Sequence, residues 1–261
     1  MTTAVERIQA VLKRFDLAVT RYSRLERLRK CLNAASNEDI ELLISAPSEQ
    51  APSIITYLPR STAQVRQDLF VLSQLNFKRG GFFVEFGAAN GVHHSNTYLL
   101  EKEFNWSGIL AEPAVCWHDE LRNKRKAAIA TQCVWKESNR RVTFNETDAA
   151  DLSTIDLYGA EDVHKDARKS GKRYEVVTIS LNDLLLKHNA PSEIDYLSID
   201  TEGSEFDILS NFDFGKHRFR VITCEHNYTP LREKIRALLS SRGYVRKWEH
   251  LSKQDDWYVQ G

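Results

Sequence analysis

The sequence lacks the features that mark membrane-spanning and nucleic-acid-binding proteins. No apolar run approaches the roughly 20 residues that a helix needs to cross a bilayer. The 36 Lys and Arg residues are balanced by 36 Asp and Glu residues, so the basic excess typical of nucleic-acid binding is missing. The N-terminus carries Glu6 and Arg7 and no apolar stretch, which is unlike a signal peptide. We therefore expect neither a membrane span nor a nucleic-acid partner.

Cysteine is also scarce, and its spacing is uninformative for metal binding. The chain has four cysteines, Cys31, Cys116, Cys133 and Cys224. None belongs to a C-x-x-C pair and none has a histidine at zinc spacing, so a structural zinc site is not indicated. We expect reduced, buried thiols and a cytoplasmic location.

Segments typical of strands and helices alternate from residue 80 to the end of the chain. The predicted strands are Phe82–Phe86, Gly108–Ala111, Ala127–Val134, Val142–Phe144, Glu175–Ile179, Ile194–Ile199 and Phe219–Cys224. The predicted helices are Thr97–Phe104, Ala114–Asn123, Leu181–His188, Glu205–Ser210 and Leu231–Ser241, with a loop inserted at Asp148–Lys172 and a closing hairpin of Tyr244–Trp248 and Trp257–Gln260. This alternation predicts an α/β, Rossmann-like fold with helices on both faces of a mostly parallel sheet. Every strand-to-helix loop should then lie at one edge of that sheet.

The first 60 residues form a separate predicted unit, an N-terminal helical segment and linker, ahead of a domain at 61–261. Residues from about 4 to 33 predict an amphipathic helix with an apolar stripe of Ile8, Val11, Phe15, Ala18, Tyr22 and Leu25. A short helix at Asn37–Ser45 with Asn37 as N-cap, an extended linker at Pro47–Pro59 and a helix over 62–78 capped by Ser61 should follow. The stripe must be buried, either on its own domain or in a homodimer, and we favour the homodimer.

The loop after the first predicted strand, Val84-Glu85-Phe86-Gly87-Ala88-Ala89-Asn90-Gly91, indicates a ligand site. Glycines at both ends allow a tight turn and close approach of the backbone to a ligand. The loop lacks the G-x-G-x-x-G spacing that seats a pyrophosphate. An acidic strand residue before G-x-x-x-G suits a ligand with an amino group and no phosphate, such as S-adenosylmethionine, whose ammonium Glu85 would face directly or through water. A turn without any ligand is the alternative interpretation.

Acidic residues end three further predicted strands. Glu112, followed by Pro113, is placed to accept both ribose hydroxyls of a nucleoside, although it could simply precede a helix that begins with proline. Asp200, Glu202 and Glu205 crowd the end of the fourth core strand, where carboxylates are costly unless a ligand uses them. We interpret Glu205 as decoration of a helix N-terminus and place Asp200 in the cleft. Glu225 and His226 follow the next strand and should lie beside Asp200.

From about Gln67 to Gln260 the sequence resembles the FkbM-type methyltransferases. The resemblance rests on Gln67-Asp68, Gly81–Gly91, Ser95-Asn96-Thr97, Trp106–Pro113, Val176–Leu185 and Ile194–Glu205, in that order. It implies S-adenosylmethionine as methyl donor, a class I methyltransferase fold with seven strands, and O-methylation of a sugar, glycan or secondary metabolite. Acceptors differ between members, so the resemblance names no single one.

These observations define a predicted site. Its cofactor-binding residues are Glu85, Gly87, Ala88, Asn90, Gly91, Ser95, Asn96, Glu112, Pro113, Val134 and Asp200, and its catalytic residues are Asp200, Glu202, Glu225 and His226. Asp200 or His226 would remove the proton from the acceptor hydroxyl, and Glu202 and Glu225 would hold the acceptor. A divalent metal bridging Asp200 and Glu225 is an option that we do not favour, because no compact ligand motif supports it. The alternative function is a non-catalytic scaffold that binds a nucleoside and recruits partners through its N-terminal helix.

Overall fold

The computed structural model describes residues 36–147, 153–158 and 168–261, so the predicted helix over residues 4–33 lies outside the described residues. The strands are β1 Phe82–Phe86, β2 Ser107–Ala111, β3 Ala128–Ala130, β4 Cys133–Trp135, β5 Arg141–Glu146, β6 Thr154–Ile155, β7 Lys172–Ser180, β8 Glu193–Ile199, β9 Arg218–Glu225, β10 Tyr244–Lys247 and β11 Asp255–Gln260. The helices are α1 Asn37–Ser45, α2 Ala51–Tyr57, α3 Gln67–Gln74, α4 Tyr98–Phe104, α5 His118–Lys124, α6 Leu181–Lys187, α7 Glu205–Ser210 and α8 Leu231–Ser241.

Seven of the strands form the main sheet, in the order β10-β11-β9-β8-β1-β2-β3. The strands from β9 to β3 run parallel, whereas β11 pairs antiparallel with both β9 and β10. The predicted mostly parallel seven-stranded sheet with a closing hairpin, and with it the Rossmann-like class I methyltransferase fold, is therefore confirmed. The chain moves outward from β1 to β3 on one side and from β8 to β9 on the other. This switch point between β1 and β8 is where open α/β sheets bind ligands.

Both faces of the main sheet are covered, because alternate residues of its strands point to opposite sides. Val84, Ile109, Leu197 and Ile222 belong to one buried apolar cluster, which α6, α7 and α8 complete. Their neighbours in sequence, Phe83, Leu110, Tyr196 and Val221, belong to a second cluster, which includes residues of α3 and α4. The near-continuous apolar runs of the strands thus follow from burial on two sides.

A smaller sheet, in the order β4-β7-β5-β6, lies beside the main one. Its strands differ from the sequence predictions in three places. The predicted strand Ala127–Val134 is two strands, because β3 joins the main sheet and β4 pairs with β7 in the smaller one. The predicted strand Glu175–Ile179 extends over Lys172–Ser180, since β7 pairs with β4 and also with β5. The predicted loop at Asp148–Lys172 contains β6 and a short 3-10 helix within its described part.

The segment that precedes the main sheet differs from its prediction in three places. Ser36, rather than Asn37, caps α1, because its Oγ accepts the Asp39 N–H at 3.3 Å while Asp39 accepts the Ser36 N–H. The predicted extended linker at Pro47–Pro59 is mostly helical, since Pro52 occupies the first turn of α2, where a missing N–H is tolerated. The predicted helix over 62–78 is restricted to α3, and Ser61 donates to Asp68 instead of capping it.

These helices are attached to the domain rather than held away from it. Leu42 of α1 and Ile54 of α2 are buried in the cluster that contains Phe70 and Phe83. No helix within the described ranges is long and apolar enough to cross a membrane. Cys133 and Cys224 are buried as expected, but Cys116 is exposed, which corrects the prediction for that thiol. The division of the chain at residue 60 stays a prediction.

Candidate active site

A cavity of about 670 Å³ opens at the carboxyl ends of β1, β2, β8 and β9, beside the switch point of the sheet. Its volume lies within the range of small-molecule sites. The predicted site residues that line it are Gly87, Ala88, Asn90, Ser95, Asn96, Glu112, Pro113, Val134, Asp200, Glu202 and Glu225. Three other predicted residues, Glu85, Gly91 and His226, do not line it. The fold therefore brings together most of a site that is dispersed over more than a hundred residues of sequence.

The loop after β1 depends on glycine at Gly87. Its φ of +68° is in the left-handed region, and a Cβ there would lie 2.0 Å from the carbonyl oxygen of Asp200. Gly87 thus allows the loop to pass directly against the end of β8. Since Asp200 lines the same cavity, the close approach fixes the distance between the glycine loop and the acidic strand ends.

Glu85 is buried beneath this loop and bonds to the protein itself. Its carboxylate accepts hydrogen bonds from Ser95 Oγ, from the Asn96 N–H at 2.7 Å and from Thr97 Oγ1 at 2.5 Å. Arg125 lies 3.7 Å from the same carboxylate. This arrangement holds the start of α4 against β1, and Glu85 itself does not line the cavity. Direct contact with a cofactor ammonium, as the sequence suggested, does not follow from the geometry.

Glu112 lies at the end of β2, as its sequence position predicted, and lines the cavity. One oxygen accepts the Ala89 N–H and the other accepts the Ala114 N–H, each at 2.7 Å. A carboxylate oxygen has two lone pairs, so each keeps one for a further donor. Burial raises the pKa of Glu112 to about 7, although the two N–H groups act in the opposite direction.

Asp200, Glu202 and Glu225 form an acidic cluster on the opposite wall. One oxygen from each lies within 4.8 Å of the others. Burial raises the pKa of Asp200 and of Glu225 above the ordinary range, and the charges of neighbouring carboxylates raise both further. Glu202 differs, because Arg168 and Asn227 donate to its Oε2 at 2.7 Å and 3.1 Å. The cluster therefore combines one paired carboxylate with two that are surrounded mainly by negative charge.

His226 follows Glu225 but does not line the cavity. Its Nδ1 accepts the Tyr228 N–H at 3.0 Å, and its side chain is 1% exposed next to Asp256. Burial lowers the pKa of His226, so the neutral ring is favoured. The position of the ring favours Asp200 over His226 as the group that meets an acceptor.

Three buried polar atoms of cavity-lining residues make no hydrogen bond with any residue that the structure describes. They are Asn96 Oδ1, Trp117 Nε1 and Glu225 Oε2. Unpaired buried polar atoms are uncommon and are compatible with a polar ligand that supplies the missing partners. Trp117, in a 3-10 turn after β2, was missed by sequence reasoning, because nothing in its local pattern distinguishes it from a core aromatic residue.

The mouth of the cavity also includes residues that were not among the predicted site residues. Gln64, Gln67, Asn227, Tyr228 and Gln254 line it, and they come from three distant parts of the chain. Side chains of this kind bind hydroxyl groups by donating and accepting hydrogen bonds. Their common location could be seen only after β11 and α3 were placed beside β9.

Residues 85–246 match the methyltransferase FkbM domain. No curated protein matches the chain. Among solved structures, a methyltransferase FkbM from Methylobacillus flagellatus KT is 14% identical over 91% of this chain and 59% of that chain, with a TM-score of 0.47. The precorrin-6y C5,15-methyltransferase of Geobacter metallireducens GS-15 is 12% identical over 74% of this chain and 85% of that chain, with a TM-score of 0.39.

The FkbM domain match begins at Glu85 near the end of β1, contains the acidic ends of β2, β8 and β9, and ends at Arg246 within β10. It thus contains the glycine loop, Glu112 and the acidic cluster, which all line one cavity. The match extends over well over half of the chain. The chain therefore belongs to the FkbM methyltransferase family and is an S-adenosylmethionine-dependent methyltransferase.

Proposed function

We propose that the protein transfers the methyl group of S-adenosylmethionine to a hydroxyl oxygen of a sugar, glycan or secondary metabolite. The observation that carries this proposal is the position of Asp200 and Glu225. Both carboxylates line the cavity that the glycine loop and Glu112 also line, and neither forms an ion pair with a described residue. A hydroxyl nucleophile needs a proton acceptor at this place, whereas an amine that is already neutral does not.

The residues present fit the cofactor. The free lone pairs of Glu112 suit two ribose hydroxyls, and the unpaired Asn96 Oδ1 suits an ammonium group. Cys133, Val134 and Phe144 give the far wall an apolar surface suited to an adenine ring. When bound, S-adenosylmethionine supplies a methyl group that is already activated by its positive sulfur.

The protein then has two tasks, which are alignment and removal of a proton. Alignment of nucleophile and methyl carbon lowers the barrier because the entropy of orientation is lost on binding rather than during reaction. Asp200 accepts the hydroxyl proton, and burial together with the negative charge of Asp255 raises its pKa, although a hydrogen bond with Glu225 acts in the opposite direction. Glu202, held by Arg168 and Asn227, keeps the wall of the cleft in place.

The polar mouth is the proposed acceptor subsite. Gln64 and Gln254 hydrogen-bond each other at 2.8 Å, and Tyr228 is 68% exposed beside them. Amide groups and an exposed aromatic ring suit a polyhydroxylated molecule, because amides pair with hydroxyls and the ring packs on C–H faces. This supports a sugar or glycan acceptor over a flat apolar one.

The test is a transfer assay with S-adenosylmethionine labelled in its methyl group. The full chain is incubated with a panel of sugars, glycans and polyhydroxylated metabolites, and the product is analysed by mass spectrometry. Label on oxygen supports the proposal. Label on nitrogen or carbon alone would overturn O-methylation, and donor binding without any transfer to the panel or to a cell extract would favour a non-catalytic scaffold.

The predicted homodimer through residues 4–33 also stays a proposal. It is supported by the apolar stripe of that segment, which needs a partner surface. Light scattering on the full chain and on a chain beginning at Ser36 tests it. A dimer that becomes a monomer on truncation supports the idea, whereas two monomers or two dimers contradict it.

A further inference from the structure

The acidic cluster is assembled by the backbone of the sheet. Ile199 pairs with Cys224 in the parallel ladder of β8 and β9, so the residues that follow, Asp200 and Glu225, come side by side. Glu202 has a φ of +58° and Gly203 a φ of +122°, which turn the chain back so that Glu202 joins them. The three carboxylates therefore converge through strand register and a tight turn, and not through long flexible side chains alone.

One buried member of the cluster, Glu225, lacks a partner on one oxygen. Glu225 is 7% exposed, and its Oε2 accepts no hydrogen bond from the residues described by the structure. A buried carboxylate oxygen without a donor is costly, and such atoms are usually satisfied by a ligand, an ion or water. Since Glu225 lines the cavity, the missing partner can reach it from there.

The charges around the cluster are also unbalanced. Within the described ranges, Glu202 is the member that has a basic partner, with Arg168 Nη2 at 2.7 Å from its Oε2. Asp200 and Glu225 form no ion pair with any residue that the structure describes, and the nearby Glu205 and Asp255 add negative charge. Among the described residues at this wall, negative charge therefore exceeds positive charge, and a bound cation would reduce that imbalance.

We propose that Asp200, Glu202 and Glu225 bind a divalent cation of the Mg²⁺ and Mn²⁺ class. Oxygen ligands without histidine or cysteine select hard cations of this kind. Ligand oxygens on opposite sides of such an ion lie about 4 Å apart, since each metal–oxygen distance is about 2.1 Å. Donor atoms already within 4.8 Å need only small side-chain rotations to reach that distance. The sequence did not favour a metal because the ligands come from two strands and form no compact motif.

This inference rests on the proposed function and specifies how the hydroxyl is activated. The cation keeps coordination positions on the cavity side, where the acceptor oxygen binds and its pKa falls. The hydroxyl proton passes to the oxygen of Asp200 that does not bind the cation, and an oxygen electron pair forms the bond to the methyl carbon. The C–S bond breaks at the same time, and its electron pair stays on sulfur, which loses its positive charge. Asp200 is then a ligand of the cation, so loss of turnover in a variant does not by itself separate the two roles.

Cation binding is therefore measured directly. The full chain is treated with a chelator, dialysed and titrated with Mn²⁺, and free Mn²⁺ is followed by its electron paramagnetic resonance signal. We expect one site per chain, with affinity lowered at least about tenfold in Asp200→Asn and in Glu225→Gln. Glu193→Gln is the matched control, because this exposed glutamate begins the same strand at its opposite end. Circular dichroism verifies that each variant is folded.

The outcomes separate this inference from the proposed function. Stoichiometric Mn²⁺ binding that both variants weaken and the control retains supports the site, and chelation should then abolish transfer. The cation site is overturned if the chain binds neither Mn²⁺ nor Mg²⁺, or if neither variant changes the binding. In that case an O-methylated product would still support the proposed function. Specific Mn²⁺ binding without transfer to any hydroxyl acceptor would retain the site and overturn the function.

Discussion

Two groups of buried or half-buried carboxylates in this domain are organised in opposite ways. Glu85 and Glu101 surround Arg125, whose side chain is 0% exposed and lies 3.7 Å and 3.3 Å from the two carboxylates. The acidic cluster of Asp200, Glu202 and Glu225 has one basic partner on one member among the described residues. The first group is a closed network, whereas the second is open to the cavity.

The difference shows what buried charge does in each place. Arg125 also donates to the Gly91 carbonyl at 2.9 Å and to Thr97 Oγ1 at 2.8 Å, so its network joins the glycine loop to α4. Burial alone would raise the pKa of Glu101, yet Arg125 and other donors hold it below the ordinary range. For Asp200 and Glu225 burial and like charge act together, and the pKa of each is raised. The ion pairs of Arg125 thus stabilise the loops around the site, whereas the unpaired carboxylates of Asp200 and Glu225 are available to a ligand.

The largest expected effect comes from opening the paired network. Arg125→Met should lower the free energy of unfolding by about 3–5 kcal/mol, because it leaves Glu85 and Glu101 buried without a cation. Arg122→Met, at an exposed position of α5 with a partner in Asp119, should change it by less than about 1 kcal/mol. Urea unfolding of both variants measures the difference. Equal effects would contradict the distinction between the two groups.

The second prediction concerns the open cluster. Asp200→Asn should lower turnover by about a hundredfold or more, since the variant can neither accept a proton nor hold a cation. Its free energy of unfolding should stay the same or increase, because one of several buried like charges is removed. Initial rates with labelled donor and urea unfolding test both parts. A near-normal rate would mean that another residue accepts the proton. A large loss of stability would show that Asp200 has a structural role.

This contrast between the groups could not be read from the sequence. Glu85 and Asp200 are both acidic residues beside a strand end and a glycine turn, and the same pattern predicted ligand contact for both. The strands were predictable because their apolar runs are long, and Glu205–Ser210 and Leu231–Ser241 match the predicted helices. Whether Glu85 interacts within the protein or with a ligand depends on Arg125. This residue is distant in sequence, and its burial depends on tertiary packing. The split of residues 127–134 between two sheets likewise depends on the partner strand β7.

The third prediction concerns the affinity for S-adenosylmethionine, for which Glu112 and Glu85 should differ. Glu112→Ala should weaken S-adenosylmethionine binding by about 1.5–3 kcal/mol, because a charge-assisted pair to the ribose hydroxyls is lost. Glu85→Gln should instead lower stability and leave the affinity of the folded protein nearly unchanged, since Glu85 does not line the cavity. Calorimetric titration, with the folded fraction determined separately, measures both. Unchanged affinity in folded Glu112→Ala would remove Glu112 from the cofactor site.

The smallest expected effect concerns Asp68 of α3, a buried carboxylate that is intermediate between the two groups. Its Oδ1 accepts from Ser61 Oγ and from the Leu69 N–H, at 2.7 Å and 2.8 Å. Its Oδ2 makes no hydrogen bond within the part of the chain that is described, and the residue does not line the cavity. Burial raises the pKa of Asp68 from 3.8 to about 6, although both donors act against the shift.

The folded protein therefore keeps a proton on Asp68 at pH values where the unfolded chain has lost it. Stability should fall as the pH rises from about 4 to about 6, with a slope of at most about 1.4 kcal/mol per pH unit from this residue. Asp68→Asn retains an oxygen for both donors and carries no charge, so its free energy of unfolding should vary less over that interval. Urea unfolding at pH 4, 5, 6 and 7 compares the two proteins. Parallel curves would mean that Asp68 is ionised in the folded state, and that two hydrogen bonds suffice to keep a buried carboxylate charged without a cation.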